Sequence, residues 1–206
     1  MKKITIIDYG MGNLHSVCGA LTHEGIAYEV TSERSTLQQA EALILPGVGA
    51  FPDAMKMLNE TGLSDVIRDK CARGTPLLGI CLGMQLLADS SNEVTFTEGL
   101  GLIHGVCQRI VAPDLKIPHM GWNDLMFDQP DCPLLQGLAS GTYMYFVHSY
   151  RFHPENATES LAAHTLYGEA IPALITNGKN VFGAQFHPEK SQEAGLMLLK
   201  NYYQTL

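Results

Sequence analysis

Apolar residues fall in short runs through the first half of the chain, and the runs alternate with helix-like stretches. Lys3 to Asp8 is an apolar run closed by Gly10 and Gly12, and it predicts a buried strand. Leu14 to His23 is helix-like and stops at Gly25. Ala27 to Val30 predicts a second short strand, and Ala42 to Leu45 a third, ended by Pro46-Gly47. Asp53 to Asn59 and Leu63 to Arg73 predict helices, the latter stopped by Gly74. Pro76 to Ile80 is a fourth strand, and Met84 to Ala88 begins the next helix. Strands alternating with helices predict a parallel sheet covered on both faces.

The second half changes character. Val106 to Val111, Asn123 to Phe127, Tyr143 to Phe152, Leu161 to Leu166, Ala173 to Thr176 and Val181 to Phe186 are mostly strand-like and lie close together. They predict antiparallel hairpins added to the sheet, with Gln192 to Tyr203 as a closing helix. The expected fold is therefore α/β: an open, mostly parallel central sheet flanked by helices, with antiparallel strands in the C-terminal half. No repeat, linker or low-complexity tract divides the chain, so one domain spanning residues 1–206 is expected.

Composition narrows the function. The formal charge of −8 argues against nucleic acid or an anionic membrane as the main partner. Five cysteines, with no CxxC pair, suggest neither a disulfide framework nor a zinc ribbon, and no metal centre is expected. The N-terminal apolar run is too short for a signal peptide, and no later run is long enough to span a bilayer. A reducing cytoplasm is the expected compartment. Gly10-Met11-Gly12 lacks a third glycine at dinucleotide-loop spacing, where His15 stands, and no phosphate loop of the GxxxxGK[ST] form occurs. No nucleotide cofactor is expected.

Two distant stretches make chemical sense together. Gly79-Ile80-Cys81-Leu82-Gly83 follows a predicted strand and has the form of a nucleophile elbow. A buried structural cysteine is the commoner reading for a cysteine taken alone. The flanking glycines weaken it, because they let strand and helix pack closely around the turn. In Gln185-Phe186-His187-Pro188-Glu189, proline keeps its predecessor extended, so residues two apart face one side. His187 and Glu189 then face one site, and the acid fixes the imidazole tautomer. Cys81, His187 and Glu189 are the three parts of a nucleophilic triad. Pro46-Gly47-Val48-Gly49 is either an ordinary strand-ending turn or a loop offering backbone N–H groups to an oxyanion. On the second reading the donors are the N–H of Val48 and that of Leu82. His119 and His148 could compete as base, but a lone strand histidine is more often structural and neither has a carboxylate two residues away, so both are expected to support the site or bind ligand instead.

These residues resemble the class I, or triad, glutamine amidotransferases, which carry G-x-C-x-G and H-P-E. The resemblance runs from the first strand to the end of the chain and implies a flavodoxin-like architecture. It is strongest to the branch of the family in histidine biosynthesis, on the runs Asp8 to Asn13, Pro46 to Phe51, Gly79 to Gln85, His119 to Asn123, Tyr145 to Tyr150 and Gln185 to Ser191. It implies glutamine as substrate, with Gly49, Gln85, Glu93, Ser149 and Tyr150 holding it. It also implies a heterodimer with a (β/α)8-barrel cyclase subunit that receives ammonia, and a docking face near Asn13, Trp122, Tyr145 and Lys190. Three rivals remain: an amidotransferase subunit feeding pyridoxal phosphate, anthranilate or guanylate synthesis, a cysteine peptidase of related fold, and a non-catalytic regulatory subunit. The HMGWN and YFVHSY runs oppose the first, the glutamine-site residues the second and the intact triad the third.

Overall fold

The computed structural model describes residues 2–206. Its first half runs β1 (Ile4–Ile7), α1 (Leu14–His23), β2 (Tyr28–Thr31), α2 (Arg34–Gln38), β3 (Ala42–Gly47), α3 (Phe51–Glu60), α4 (Leu63–Ala72), β4 (Leu77–Cys81) and α5 (Leu82–Gln85). There follow β5 (Ser90–Ser91), β6 (Thr97–Glu98), β7 (Gly105–Arg109), β8 (His119–Phe127), β9 (Thr142–His148) and β10 (Tyr150–Pro154). The chain continues through α6 (Ala157–Ser160), β11 (Leu161–Tyr167), β12 (Glu169–Thr176), β13 (Val181–Ala184) and α7 (Gln192–Gln204).

A nine-stranded sheet has the order β2-β1-β3-β4-β13-β12-β11-β8-β9. From β2 to β13 the neighbours are parallel, and from β13 to β9 they are antiparallel. The parallel strands β1, β3, β4 and β13 are buried throughout, as a sheet covered on both faces requires. Side chains alternate between the faces with period two. Ile4, Ile6, Ile44, Leu78 and Ile80 join one core cluster, which includes Leu198, Leu199 and Tyr202 of α7. Ile7, Leu43, Leu45 and Leu77 join the other, which includes Phe51, Ala54 and Leu58 of α3 and Ile67 of α4. Local signals agree with this packing: Asn13 Oδ1 accepts from the Ser16 N–H to cap α1, and Pro52 opens α3. No described helix is long and apolar enough to cross a membrane.

Four features differ from the sequence expectation. Tyr143 to Phe152 is not one strand: it breaks at Ser149 into β9, in the large sheet, and β10, in a separate sheet of order β10-β7-β5-β6. The Val106–Val111 strand therefore belongs to that second sheet. β13, expected within the antiparallel set, pairs parallel with β4, Gly183 opposite Gly79. The helix after the nucleophile starts earlier and is much shorter than Met84 to Ala88 suggests. At four residues, α5 is too short for its dipole to do much for the thiol.

Candidate active site

Three parallel strands bring the chemistry together at their C-terminal ends. β3 ends in the Gly47-Val48-Gly49 loop, β4 ends at Cys81, and β13 leads into Gln185 to Glu189. Gly47 lies opposite Cys81 in the β3–β4 register.

Cys81 has φ 56° and ψ −111°, a left-handed conformation that strains any residue with a Cβ. That turn throws the side chain out of the strand toward the pocket. It requires α5 to start hard against β3, and a Cβ on Gly83 would collide with the Leu45 carbonyl. The glycine two residues past the nucleophile is therefore set by close backbone approach. The Cys81 sulfur lies 3.8 Å from the Val147 carbonyl and 4.0 Å from Gln185 Nε2.

His187 Nδ1 is 2.8 Å from Glu189 Oε1, and both side chains are buried, at 3% and 1% exposure. A carboxylate there accepts, so Nδ1 carries a proton and Nε2 is the nitrogen that faces the chemistry. Nε2 has no hydrogen bond of ordinary geometry, and Cys81 is the group beside it that acts on the ring. Burial pulls the imidazole pKa down, but Cys81 and Glu189 push it up further, to about 9. The balance favours the imidazolium, the form that can protonate a leaving amine. Glu189→Gln keeps the size and the fold but loses the negative charge. We expect its kcat to fall by about 10³-fold with the melting temperature little changed. Near-normal turnover would show that another carboxylate orients His187.

The pocket has a volume of about 370 Å³. Cys81, His187, Val48, Gly49, Leu82, Gln85, Glu93, Ser149 and Tyr150, all named from sequence, line it, together with His148, kept from sequence as a supporting or binding candidate, and with Pro118 and Val147, which were not assigned to it. Glu189 sits behind His187. Ser149 and Tyr150 reach the pocket because the chain changes sheets there. Gln85 lines the pocket with its amide nitrogen already engaged. Its Nε2 donates to the Tyr150 carbonyl at 3.0 Å and to Gln185 Oε1 at 3.1 Å, so it ties the pocket wall together and leaves only Oε1 for a ligand. Gln185, one residue upstream of the Phe186-His187 pair, was not singled out from sequence. Glu93 is half-buried, and its carboxylate accepts from the Phe51 N–H at 2.8 Å. Burial raises its pKa, the Phe51 N–H lowers it, and Asp53 adds a smaller upward push.

The two expected oxyanion donors stand differently. Leu82 is the first residue of α5, where a backbone N–H has no partner within the helix. The Val48 N–H is instead committed to the Met11 carbonyl at 3.2 Å, so it is not aimed at an oxyanion in this conformation. Glycines flank Val48 on both sides, and Gly49 has φ +101°, a conformation open mainly to glycine.

His119 and His148 are not bases here. His148 Nδ1 donates to the Tyr150 carbonyl at 2.7 Å, His119 Nδ1 lies 3.1 Å from His148 Nε2, and Asn123 Nδ2 lies 3.2 Å from His119 Nε2. The carbonyl can only accept, so each imidazole in this chain has a fixed neutral tautomer. Burial pushes His119 down to about 4. Burial pushes His148 down to about 3, against the Tyr150 carbonyl and with help from His119 and His187.

On the outer face of β8 and β9, Trp122 is 46% exposed and packs edge-on against Tyr145, its cross-strand partner. Tyr145 also reaches inward through its backbone: its carbonyl accepts from the His187 N–H at 2.9 Å. Lys190 is exposed one residue past Glu189. Asn13 acts as the cap of α1. Away from the pocket, the ligand atoms of exposed Asp89, His104 and Glu155 lie within 4.8 Å of one another. Asp89 there already accepts from the Gly105 N–H and pairs with His104.

The family described as glutamine amidotransferase class-I matches residues 5–205. The imidazole glycerol phosphate synthase subunit HisH of Halalkalibacterium halodurans is 51% identical over 202 residues, covering 96% of this chain and 93% of that one. The protein of the same name from Geobacillus kaustophilus is 51% identical over 204 residues, covering 97% and 95%. Among solved structures, PurLQS from Thermotoga maritima aligns with a TM-score of 0.76 at 20% identity, covering 99% of this chain and 98% of that one. The glutaminase domain of Trypanosoma brucei CTPS, solved with acivicin, aligns with a TM-score of 0.69 at 14% identity, covering 99% and 94%. At those identities the two structures speak for the fold alone.

Proposed function

The chain belongs to the class-I glutamine amidotransferases, and from that premise we propose that it is the glutaminase subunit of an imidazole glycerol phosphate synthase. The observation that carries the reading is the buried His187–Glu189 pair beside Cys81, in a pocket of amino-acid size. Identity of about half to subunits of that name favours this synthase over amidotransferases of other pathways and over a peptidase.

In the proposed reaction the Cys81 thiolate attacks the side-chain amide carbon of glutamine. The C–N bond breaks as the His187 imidazolium gives its proton to the leaving nitrogen, and a thioester remains. Neutral His187 then takes a proton from water, whose oxygen attacks the thioester carbon. Glutamate leaves, the thiolate returns, and one ammonia has been made from one glutamine and one water. The carboxylate of Glu93 suits the ammonium of glutamine, and the Ser149–Tyr150 backbone its carboxylate end. The ammonia passes to a (β/α)8-barrel cyclase partner, for which the exposed Trp122 face is the candidate dock.

The bond from Val48 to Met11 supports a resting state in which one oxyanion donor is withheld until the partner engages. The test of the function is reconstitution. Mixed with a cyclase subunit and its ribonucleotide substrate, the chain should make imidazole glycerol phosphate from glutamine without added ammonium. Product that forms only with ammonium would reject the assignment.

A further inference from the structure

The reaction above leaves one polar atom beside the elbow unused, the Tyr9 hydroxyl. It is buried and has no hydrogen-bond partner among the described residues. Native interiors rarely leave a buried hydroxyl without a partner, so each instance calls for an explanation. Its surroundings are specific. A Cβ built on Gly47 would stand 2.7 Å from this oxygen, 2.8 Å from the Gly83 nitrogen and 2.9 Å from Leu82 Cβ. The hydroxyl thus lies behind both segments expected to supply oxyanion donors. Burial, and to a lesser degree Cys81, hold the phenol above its ordinary range, so it stays protonated and able to donate.

The N–H and C=O of a trans peptide point in opposite directions. With the Val48 N–H on the Met11 carbonyl, the Gly47 carbonyl points away from Met11. Turning that N–H toward an oxyanion swings the Gly47 carbonyl to the Met11 side. Two carbonyl oxygens would then approach each other with no proton between them. The Tyr9 hydroxyl, already against Gly47, is a side-chain donor without a partner beside that peptide.

We propose that Tyr9 is a positioning residue for the oxyanion loop: its hydroxyl donates to the Gly47 carbonyl after the Gly47–Val48 peptide has turned. This deepens the gated-glutaminase reading and rests on it. The hydroxyl lacks a partner in the resting state and gains one in the turned state, so it biases the loop toward activity without touching substrate.

The test uses the complex with the cyclase subunit. Glutamine kcat and KM are measured with and without imidazole glycerol phosphate on the partner, for the natural chain and for Tyr9→Phe. We expect Tyr9→Phe to reduce stimulated kcat about tenfold relative to resting kcat, with KM for glutamine little changed. Placing 4-aminophenylalanine at position 9 returns a donor and should restore the stimulation ratio. Tyr9→Phe stimulated as fully as the natural chain overturns the inference. A parallel fall in resting and stimulated rates, or a lowered melting temperature that the amino side chain does not repair, also overturns it by showing a packing role. A natural chain that is never stimulated rejects the gate itself, and the role of Tyr9 falls with it.

Discussion

Cys81→Ala is expected to lower glutamine-dependent turnover on the order of 10⁴-fold or more, while the assembled complex fed with ammonium keeps its cyclase rate. The reason is local. Cys81 is the one cysteine on a strained strand-to-helix turn, it lines the pocket, and it stands beside His187. The other four are thiols with nothing to activate them. Burial pushes Cys71 up to about 12 and Cys107 higher still, and it raises Cys132 and Cys18 as well. A glutamine-analogue electrophile should therefore label Cys81 and spare the rest, read by peptide mass mapping. Labelling at another cysteine, or a Cys81→Ala protein that still hydrolyses glutamine, would remove the thioester mechanism.

The second large effect concerns the resting state. Because the Val48 N–H rests on the Met11 carbonyl, the isolated chain should hydrolyse glutamine slowly. Loss of one oxyanion donor costs about a hundred- to a thousandfold in rate, and that factor sets the scale of the expected stimulation. Steady-state glutaminase rates should rise across three conditions: chain alone, chain with the barrel subunit, and chain with the barrel subunit carrying its ribonucleotide ligand. Equal rates in all three would eliminate the gate. Lys190 lies one residue beyond Glu189 and is exposed, so it is placed to link docking to the triad. Lys190→Ala should weaken assembly or stimulation, and unchanged values for both would take that part from it.

The sequence exposed those elements whose signal is local. β1, β3, β4, α1, α4 and α7 are bounded by glycine, proline or a cap, and each was legible to within a few residues. α2 is a single polar turn, and β5 and β6 are two residues each, so none has a period to detect. The break at Ser149 was illegible for a different reason. Alternation continues across Tyr143 to Phe152, and nothing in a run of side chains tells which sheet each part joins. The direction of β13 is likewise a property of its partners. The site divides in the same way. Cys81, His187 and Glu189 could be read because their roles force spacing within a few residues of a glycine or a proline. Pro118 and Val147 reach the pocket, and Gln185 reaches Gln85 and the Cys81 sulfur, only through tertiary packing. Tyr9 stood inside the Asp8–Asn13 run with no role of its own, because the role proposed for it lies in a hydrogen bond it does not make at rest.

The pairing of β13 with β4 bears on how the chain matures. In that register Cys81 ends one strand and His187 follows the neighbouring one, yet the entire antiparallel half of the sequence separates them. Such long-range contacts form late, after a large loop has closed. On a ribosome, β1, β3 and β4 can assemble while the far edge of β4 still waits for Val181 to emerge. During that interval the growing chain displays a thiol with no imidazole to deprotonate it. Catalytic competence therefore waits until His187 and Glu189 have been made, and termination before them yields an inert fragment rather than an uncontrolled source of ammonia.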